Sequence, residues 1–147
     1  MLSFLKRETV PVELQIKDME TLVIFDAFVR SKHVMRMQCT KKDESTFLIG
    51  DIFCKCEQDP WKYVNKGYGS KLMEAMLDFA AENDIHNIIG NLSIVDLDHK
   101  ERLHHFYKKF GFTITENEPC CDKNYYGKIY KQLQNQKIAD KSEKNNS

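Results

Sequence analysis
The chain has 147 residues, enough for one domain with a real apolar core and no need of covalent staples. Lysine plus arginine balance aspartate plus glutamate at 22 each, so no net positive field favours nucleic acid or anionic lipid, and neither is expected as a partner. No apolar run approaches the roughly 18 to 20 residues that span a bilayer, and Lys6, Arg7 and Glu8 fall where a signal peptide needs its apolar stretch; the expected location is cytoplasmic.

From Val12 to Cys56 the pattern is that of strands. Leu14 and Ile16 alternate with polar neighbours, Leu22 to Arg30 is a β-rich apolar run, and Val34 to Thr40 and Thr46 to Cys56 follow. Lys17-Asp18, Ser31-Lys32 and Lys41 to Ser45 punctuate them as turns, which predicts an antiparallel meander. Met35 and Met37 share one strand face and are read as core. After Pro60 the period changes. Leu72, Met76, Phe79 and Ala80 mark one helical face that ends near Asn83-Asp84, and Ile85 to Ile94 reads as a strand. Asp98-x-x-Glu101 predicts a capping box for a second helix with Leu103, Phe106, Tyr107 and Phe110 on its apolar face and Gly111 at its left-handed end. Phe112 to Thr115 and Lys128 to Leu133 give two last strands, the second a candidate dimer edge. The expected domain covers 1–134, with a polar, disordered tail at 135–147. Strand-helix-strand-helix-strand after a meander defines an α+β (mixed α/β) fold: a mixed sheet with helices on its faces.

Five cysteines, at 39, 54, 56, 120 and 121, form an odd set that reads as reduced thiols. Cys54-x-Cys56 with Cys120-Cys121 lacks the C-x2-C spacing of structural zinc, so no metal is expected. His99, His104 and His105 cluster in sequence, but the last two are consecutive and point about 100° apart around a helix, so they read as surface histidines. Gly67-x-Gly69 at a helix start is different. It gathers unpaired backbone N–H groups at the positive end of a helix dipole, a place for pyrophosphate, although many such glycine pairs are only turns. The loop is not a Walker A sequence, and it lacks the third glycine of a dinucleotide fingerprint.

Val64-Asn65-Lys66-Gly67-Tyr68-Gly69-Ser70 resembles the R/Q-x-x-G-x-G/A loop of the GNAT superfamily of acyl-CoA N-acyltransferases. Arg102 to Phe112, with Tyr107 ahead of Gly111-Phe112, resembles the same family's following segment. The resemblance covers roughly Thr46 to Leu133. It implies a splayed parallel pair, Thr46–Cys56 and Ile85–Ile94, with the cofactor arm in the opening against Cys54, Lys55 and Cys56 and the pyrophosphate at residues 64–70. It implies acetyl-CoA as co-substrate, a small-molecule or peptide amine as acceptor, and a monomer or homodimer. Val64 stands where the family has Arg or Gln, and Lys100 falls near a family asparagine that helps hold the cofactor arm. The helices usual between the family's first two strands have no counterpart in this pattern.

Amine acylation needs a proton acceptor for the amine, a donor to the thioester oxygen and an acid for the leaving thiolate. The resemblance implies Tyr107 as that acid. The candidate base is Asp51, a carboxylate inside the apolar strand Leu48 to Phe53, where desolvation would raise its pKa; a solvent-facing position on the opposite face is equally compatible with the pattern. Glu57 stands behind it, while Ser93 and Asp96 either orient the acceptor or cap the next helix. The expected function is an N-acetyltransferase working by direct attack; the alternative is a fold relative that binds acyl-CoA or a protein without turnover.

Overall fold
The structure, a computed structural model, describes residues 11–55, 67–116 and 124–133. Four antiparallel strands satisfy the apolar alternation of the first third: β1 (Val12–Asp18), β2 (Leu22–Val29), β3 (Lys32–Asp43) and β4 (Thr46–Cys54), each paired with the one before. Arg30 and Ser31 adopt φ of 50° and 66°, the positive values that a two-residue hairpin between β2 and β3 demands. Three residues alone, Met19 to Thr21, separate β1 from β2, so a hairpin stands where the resemblance would put helices. Cys56, the expected end of β4, lies outside the described residues, as do Glu57, Cys120, Cys121 and the tail.

Helix α1 (Tyr68–Glu82) leads to β5 (Asn87–Ser93), and α2 (Lys100–Lys109) to β6 (Thr113–Glu116) and β7 (Tyr125–Gln132). The sheet order is β1-β2-β3-β4-β5-β7-β6, with β4 and β5 parallel. Strand β7 is therefore an inner strand, contrary to the expectation of a dimer edge there, because β6 adds outside it; the edges are β1 and β6.

Directly opposed residues of an antiparallel pair share a face. Phe25, Met37 and Ile52 form one such row and Cys39 and Ile49 the next, and onto this face α1 lays Leu72, Met73, Met76 and Ala80, all without solvent exposure. The Phe79 ring meets Phe25 edge-on at 5.7 Å and stacks at 6.1 Å on Phe47. Met35 and Met37 are in this core, as expected. The other face carries Asp26, 1% exposed, opposite Arg36. Arg36 Nε (2.7 Å) and His33 Nε2 (2.6 Å) reach Asp26 Oδ1, and Arg36 Nη2 donates to Oδ2 at 3.1 Å. A buried carboxylate is tolerable only when so bonded.

The second helix starts differently from the expected capping box. Ser93 Oγ accepts from the Val95 N–H at 3.3 Å and opens a 3-10 turn over Ile94–His99, so the chain is already helical when it reaches Asp98. His99 occupies the cap position of α2 and makes no side-chain cap. The far end is as expected: Gly111, at φ 86°, donates to the Lys108 carbonyl, and Phe112 N–H returns to the Tyr107 carbonyl at 3.1 Å. No helix among the described residues is long and apolar enough to cross a membrane.

Candidate active site
The parallel strands β4 and β5 pair for four residues each, Thr46 to Ile49 against Asn87 to Gly90, and then separate. Beyond that point β4 continues along β3 to Cys54, while β5 continues along β7 to Ser93. Gly50 has no counterpart on β3, since Gln38 pairs with Asp51 and Cys39 with Ile49; this bulge bends β4 as the opening begins. The splay expected from the resemblance is thus present, with unpaired backbone amides along its walls.

At the wide end of the opening lies the start of α1. Gly67 has φ 82° and ψ 6°, a left-handed conformation that glycine adopts freely, and the space where its Cβ would stand is open to 4 Å. Among the described residues no side chain caps the helix, and its first turn contains no acidic residue, so the leading N–H groups face outward with the helix dipole behind them. Lys109 Nζ, from the end of α2, donates to Ser70 Oγ at 2.8 Å and holds a positive charge beside this terminus. These features fit a pyrophosphate. Gly69 faces the protein rather than the open space before the helix: a Cβ there would make ordinary contacts with Phe106 and Met35, 3.5 and 3.7 Å away. Val64, Asn65 and Lys66 lie outside the described residues.

Tyr107 is 7% exposed, and its ring packs edge-on against Phe106 and Phe112, both at 5.5 Å. Burial holds its phenol well above the ordinary tyrosine value, and the charge of Asp96 and the neighbouring Cys39 and Tyr126 push in the same direction. It is therefore a protonated donor across the physiological range. Tyr107 approaches from the face that carries α1. Asp51 pairs with Gln38, in the row that faces away from α1, and is exposed; the expected desolvation of its carboxylate is absent in the free protein because no described element covers that stretch of β4. The two candidate catalytic groups thus belong to opposite faces of the sheet, with the gap between β4 and β5 separating them.

Cys54 is half-buried and faces the α1 side opposite Met35, while Lys55 is exposed, with its ammonium 5.1 Å from the Phe53 ring centroid. Lys100 forms an ion pair with Glu116 and lies 5.6 Å from the Tyr126 ring centroid. It sits at the first residue of α2, about 13 Å along the axis from Lys109. Lys109, which the motif reading passed over, is a lysine that the structure sets beside the start of α1. Also passed over were His104 and Tyr126. His104 Nε2 and the Tyr126 hydroxyl are 3.0 Å apart, and the pair is partly buried, so His104 is not the surface residue that its sequence context suggests. Burial, with Lys100 and Lys108 nearby, lowers the His104 pKa. The signal for Tyr126 was the Tyr125-Tyr126 doublet entering β7, where the ladder shifts register between Leu92 and Ser93.

Comparison with known proteins agrees with this geometry. Residues 60–114 match the family model of the acetyltransferase (GNAT) domain. An uncharacterized protein of Bacillus subtilis (strain 168), YocC, is 36% identical over 85 residues, which are 58% of this chain and 46% of YocC; the chain thus spans about half the length of that relative. A GNAT-family acetyltransferase from Staphylococcus aureus Mu50 superposes with a TM-score of 0.61 at 16% identity, over 77% of this chain and 69% of its own. PaiA N-acetyltransferase from Thermoplasma acidophilum, in complex with coenzyme A, gives 0.60 at 12% identity over 77% and 62%. The fold is that of GNAT acetyltransferases, and the segment that carries the cradle and Tyr107 is the part of the chain that matches the GNAT domain model.

Proposed function
We propose that the protein is an acetyl-CoA-dependent N-acetyltransferase that acetylates a primary amine of a small molecule or peptide by direct attack, with Tyr107 as general acid, in a single domain over residues 1–134. The observation that carries the reading is the coincidence, within one site, of an uncapped helix N-terminus at Gly67, a parting of β4 from β5, and a buried protonated tyrosine beside that parting. Acetyl-CoA supplies the activated acyl group. The N–H groups after Gly67, with Lys109, hold its pyrophosphate, and β4 from Ile52 to Lys55 lines its arm. A backbone N–H at the Gly50 bulge is suited to the charge that develops on the carbonyl oxygen. The amine enters from the open face, where Asp51 or an ordered water takes its proton, and Tyr107 protonates the departing sulfur from the other face.

His104 and Tyr126 complete the proton balance. His104 Nε2 and the Tyr126 hydroxyl are 3.0 Å apart, and we assign this pair as the source of the proton that Tyr107 regains after each turnover. Because its pKa is lowered, His104 is neutral near pH 7 and can accept the solvent proton that it relays.

The test is a thermal-shift titration with acetyl-CoA, CoA and ATP beside a thiol-release assay against a panel of amines. Stabilisation by both CoA species but not by ATP, with thiol release that depends on an amine, is the expected result. Stabilisation with no release would leave an acyl-CoA binder without turnover, and no response to CoA would remove the cofactor assignment.

A further inference from the structure
Strand β1 ends the sheet, and among the described residues its outer edge has no neighbour. On the side that carries α1, Leu14 and Ile16 are 42% and 45% exposed, and with Ala75 and Phe79 they floor a trough of about 760 Å³ whose rim includes Glu74 and Asp78. An open edge with apolar side chains is a template for a further strand. On the other side of β1 stand Glu13, Gln15 and Lys17, and among the described residues neither Glu13 nor Lys17 has an ion-pair partner in its own chain.

The sequence of this edge is complementary to itself. When two copies of Val12–Asp18 run antiparallel about a two-fold axis through Gln15, Glu13 of each copy falls opposite Lys17 of the other, and Leu14 opposite Ile16. The inner pairs of both rows are matched at once, Glu13 against Lys17 on one face and Leu14 against Ile16 on the other, while at each end Val12 falls opposite Asp18, whose carboxylate is held by Lys41 of its own chain. Sliding the register by two residues sets Glu13 opposite Gln15, or Lys17 opposite Gln15, and loses both charge pairs; sliding by one sets apolar against polar side chains. We infer that β1 is a homodimer edge: two chains join β1 to β1 through this register, making one continuous fourteen-stranded sheet with both copies of α1 on the same side. Such an isologous contact is small, so the dimer forms in a concentration-dependent way. The inference is independent of the acetyltransferase reading, since it uses no residue of the cleft.

Charge reversal tests it on the full chain, with sedimentation velocity over roughly 1 to 300 µM as the readout and circular dichroism confirming the fold. Lys17→Glu and Glu13→Lys each put like charges opposite one another twice per dimer, and each should weaken self-association at least about tenfold. The double variant Glu13→Lys/Lys17→Glu restores both pairs and should dimerise like the parent, and an equimolar mixture of the two single variants should form a heterodimer. A parent that stays monomeric throughout the range overturns the inference, as it would if residues 1–10 of the same chain occupied the trough. So does a dimer indifferent to the single reversals.

Discussion

The two glycines of the α1 loop give a comparison in which one atom, a Cβ, is added at two places with opposite expected results. At Gly67 the backbone is left-handed, which costs an L residue about 1–2 kcal/mol, and among the described residues, its chain neighbours aside, no atom lies within 4 Å of the added Cβ to clash. Gly67→Ala should therefore lower Tm by roughly 3–8 °C and leave the fold intact. Its methyl stands in the open space before the helix terminus, so CoA should lose a charge-assisted hydrogen bond worth about 1.5–3 kcal/mol, roughly tenfold to a hundredfold in Kd. Gly69 is helical, and its added methyl would make ordinary contacts with Phe106 and Met35. Gly69→Ala should keep or slightly raise Tm, by up to about 1 kcal/mol of helix propensity, and bind CoA as the parent does. Isothermal titration with CoA and differential scanning fluorimetry measure both. If Gly67→Ala lost stability and kept its CoA affinity, the loop would not be the cradle; if Gly69→Ala lost CoA affinity at unchanged Tm, the placing of Gly69 on the protein-facing side of α1, away from the ligand, would be wrong.

Tyr107→Phe keeps the ring contacts with Phe106 and Phe112 and should lower the maximal rate about 10- to 100-fold with unchanged CoA affinity; an unaltered rate excludes Tyr107 from the chemistry. Because burial raises its pKa, Tyr107 remains protonated well past neutrality, and an alkaline limb near pH 8 that vanished in the Phe variant would contradict this. His104→Gln should slow turnover without altering CoA affinity. Since the His104 pKa is lowered, the parent should hold its rate to a lower pH than an ordinary histidine allows before an acid limb sets in, and that limb should be missing in the variant; equal pH profiles would reject the relay. Asp26→Ala leaves Arg36 and His33 without their shared carboxylate and should cost about 2–3 kcal/mol in urea unfolding, at the low end for a broken buried pair because both partners keep some solvent contact. Burial alone would raise the Asp26 pKa, but the hydrogen bonds and charges of Arg36 and His33 outweigh it and hold the carboxyl below its ordinary value. A carboxyl depressed on folding stabilises fully above its unfolded pKa, about 3.9, and loses that contribution as the pH falls through the folded value; the variant's deficit should shrink below pH 4, and a constant deficit would disprove the linkage. Cys39 is fully buried, its thiol pushed up to about 12, and should resist alkylation until the chain unfolds; modification under native conditions, read by mass spectrometry, would show that the core opens there.

Local period carried much of the fold. The meander, the α1 stripe, the strand after it and the left-handed end of α2 at Gly111 depend on neighbours a few residues apart and all are present, although the turns of the meander fall at Met19–Thr21, Arg30-Ser31 and Glu44-Ser45 rather than at Lys17-Asp18, Ser31-Lys32 and Lys41 to Ser45. Features that depend on distant partners were harder to read. The start of α2 was misplaced because Ser93 captures Val95 N–H first, a competition that a downstream capping box does not reveal. His104 resembled a surface residue until β7 brought Tyr126 beside it, 22 residues on. Asp26 could not be paired with Arg36 from the turn alone: a hairpin turning at Arg30-Ser31 sets Asp26 opposite Met35, and only the register shift between Ala27 and Phe28 brings Arg36 opposite it. Gly67 and Gly69 look alike in the motif, and only the backbone angle of one and the packing of the other separate their roles.

The parting of β4 and β5 follows from what each strand does on its other side. Gly90 has no side chain, and a Cβ there would lie 2.9 Å from Ile129, so β5 packs tightly onto β7 at the last residue it shares with β4. Gly50 bulges one residue later on β4, turning that strand toward β3. Each strand thus follows its outer neighbour, and sheet twist widens the angle between them. A gap made in this way opens to both faces at once, and the same register that makes it sets Asp51 on one face while α2 brings Tyr107 in from the other. In the proposed reaction the amine adds to one face of the thioester carbonyl and the sulfur leaves from the tetrahedral intermediate, and a gap open to both faces lets Asp51 and Tyr107 serve those two steps from different sides. Filling the gap should therefore harm turnover more than stability would predict. Gly50→Val, whose Cβ meets only the Gln38 carbonyl at 3.4 Å, is the substitution that separates a cleft built for passage from one that is merely a fault in the sheet.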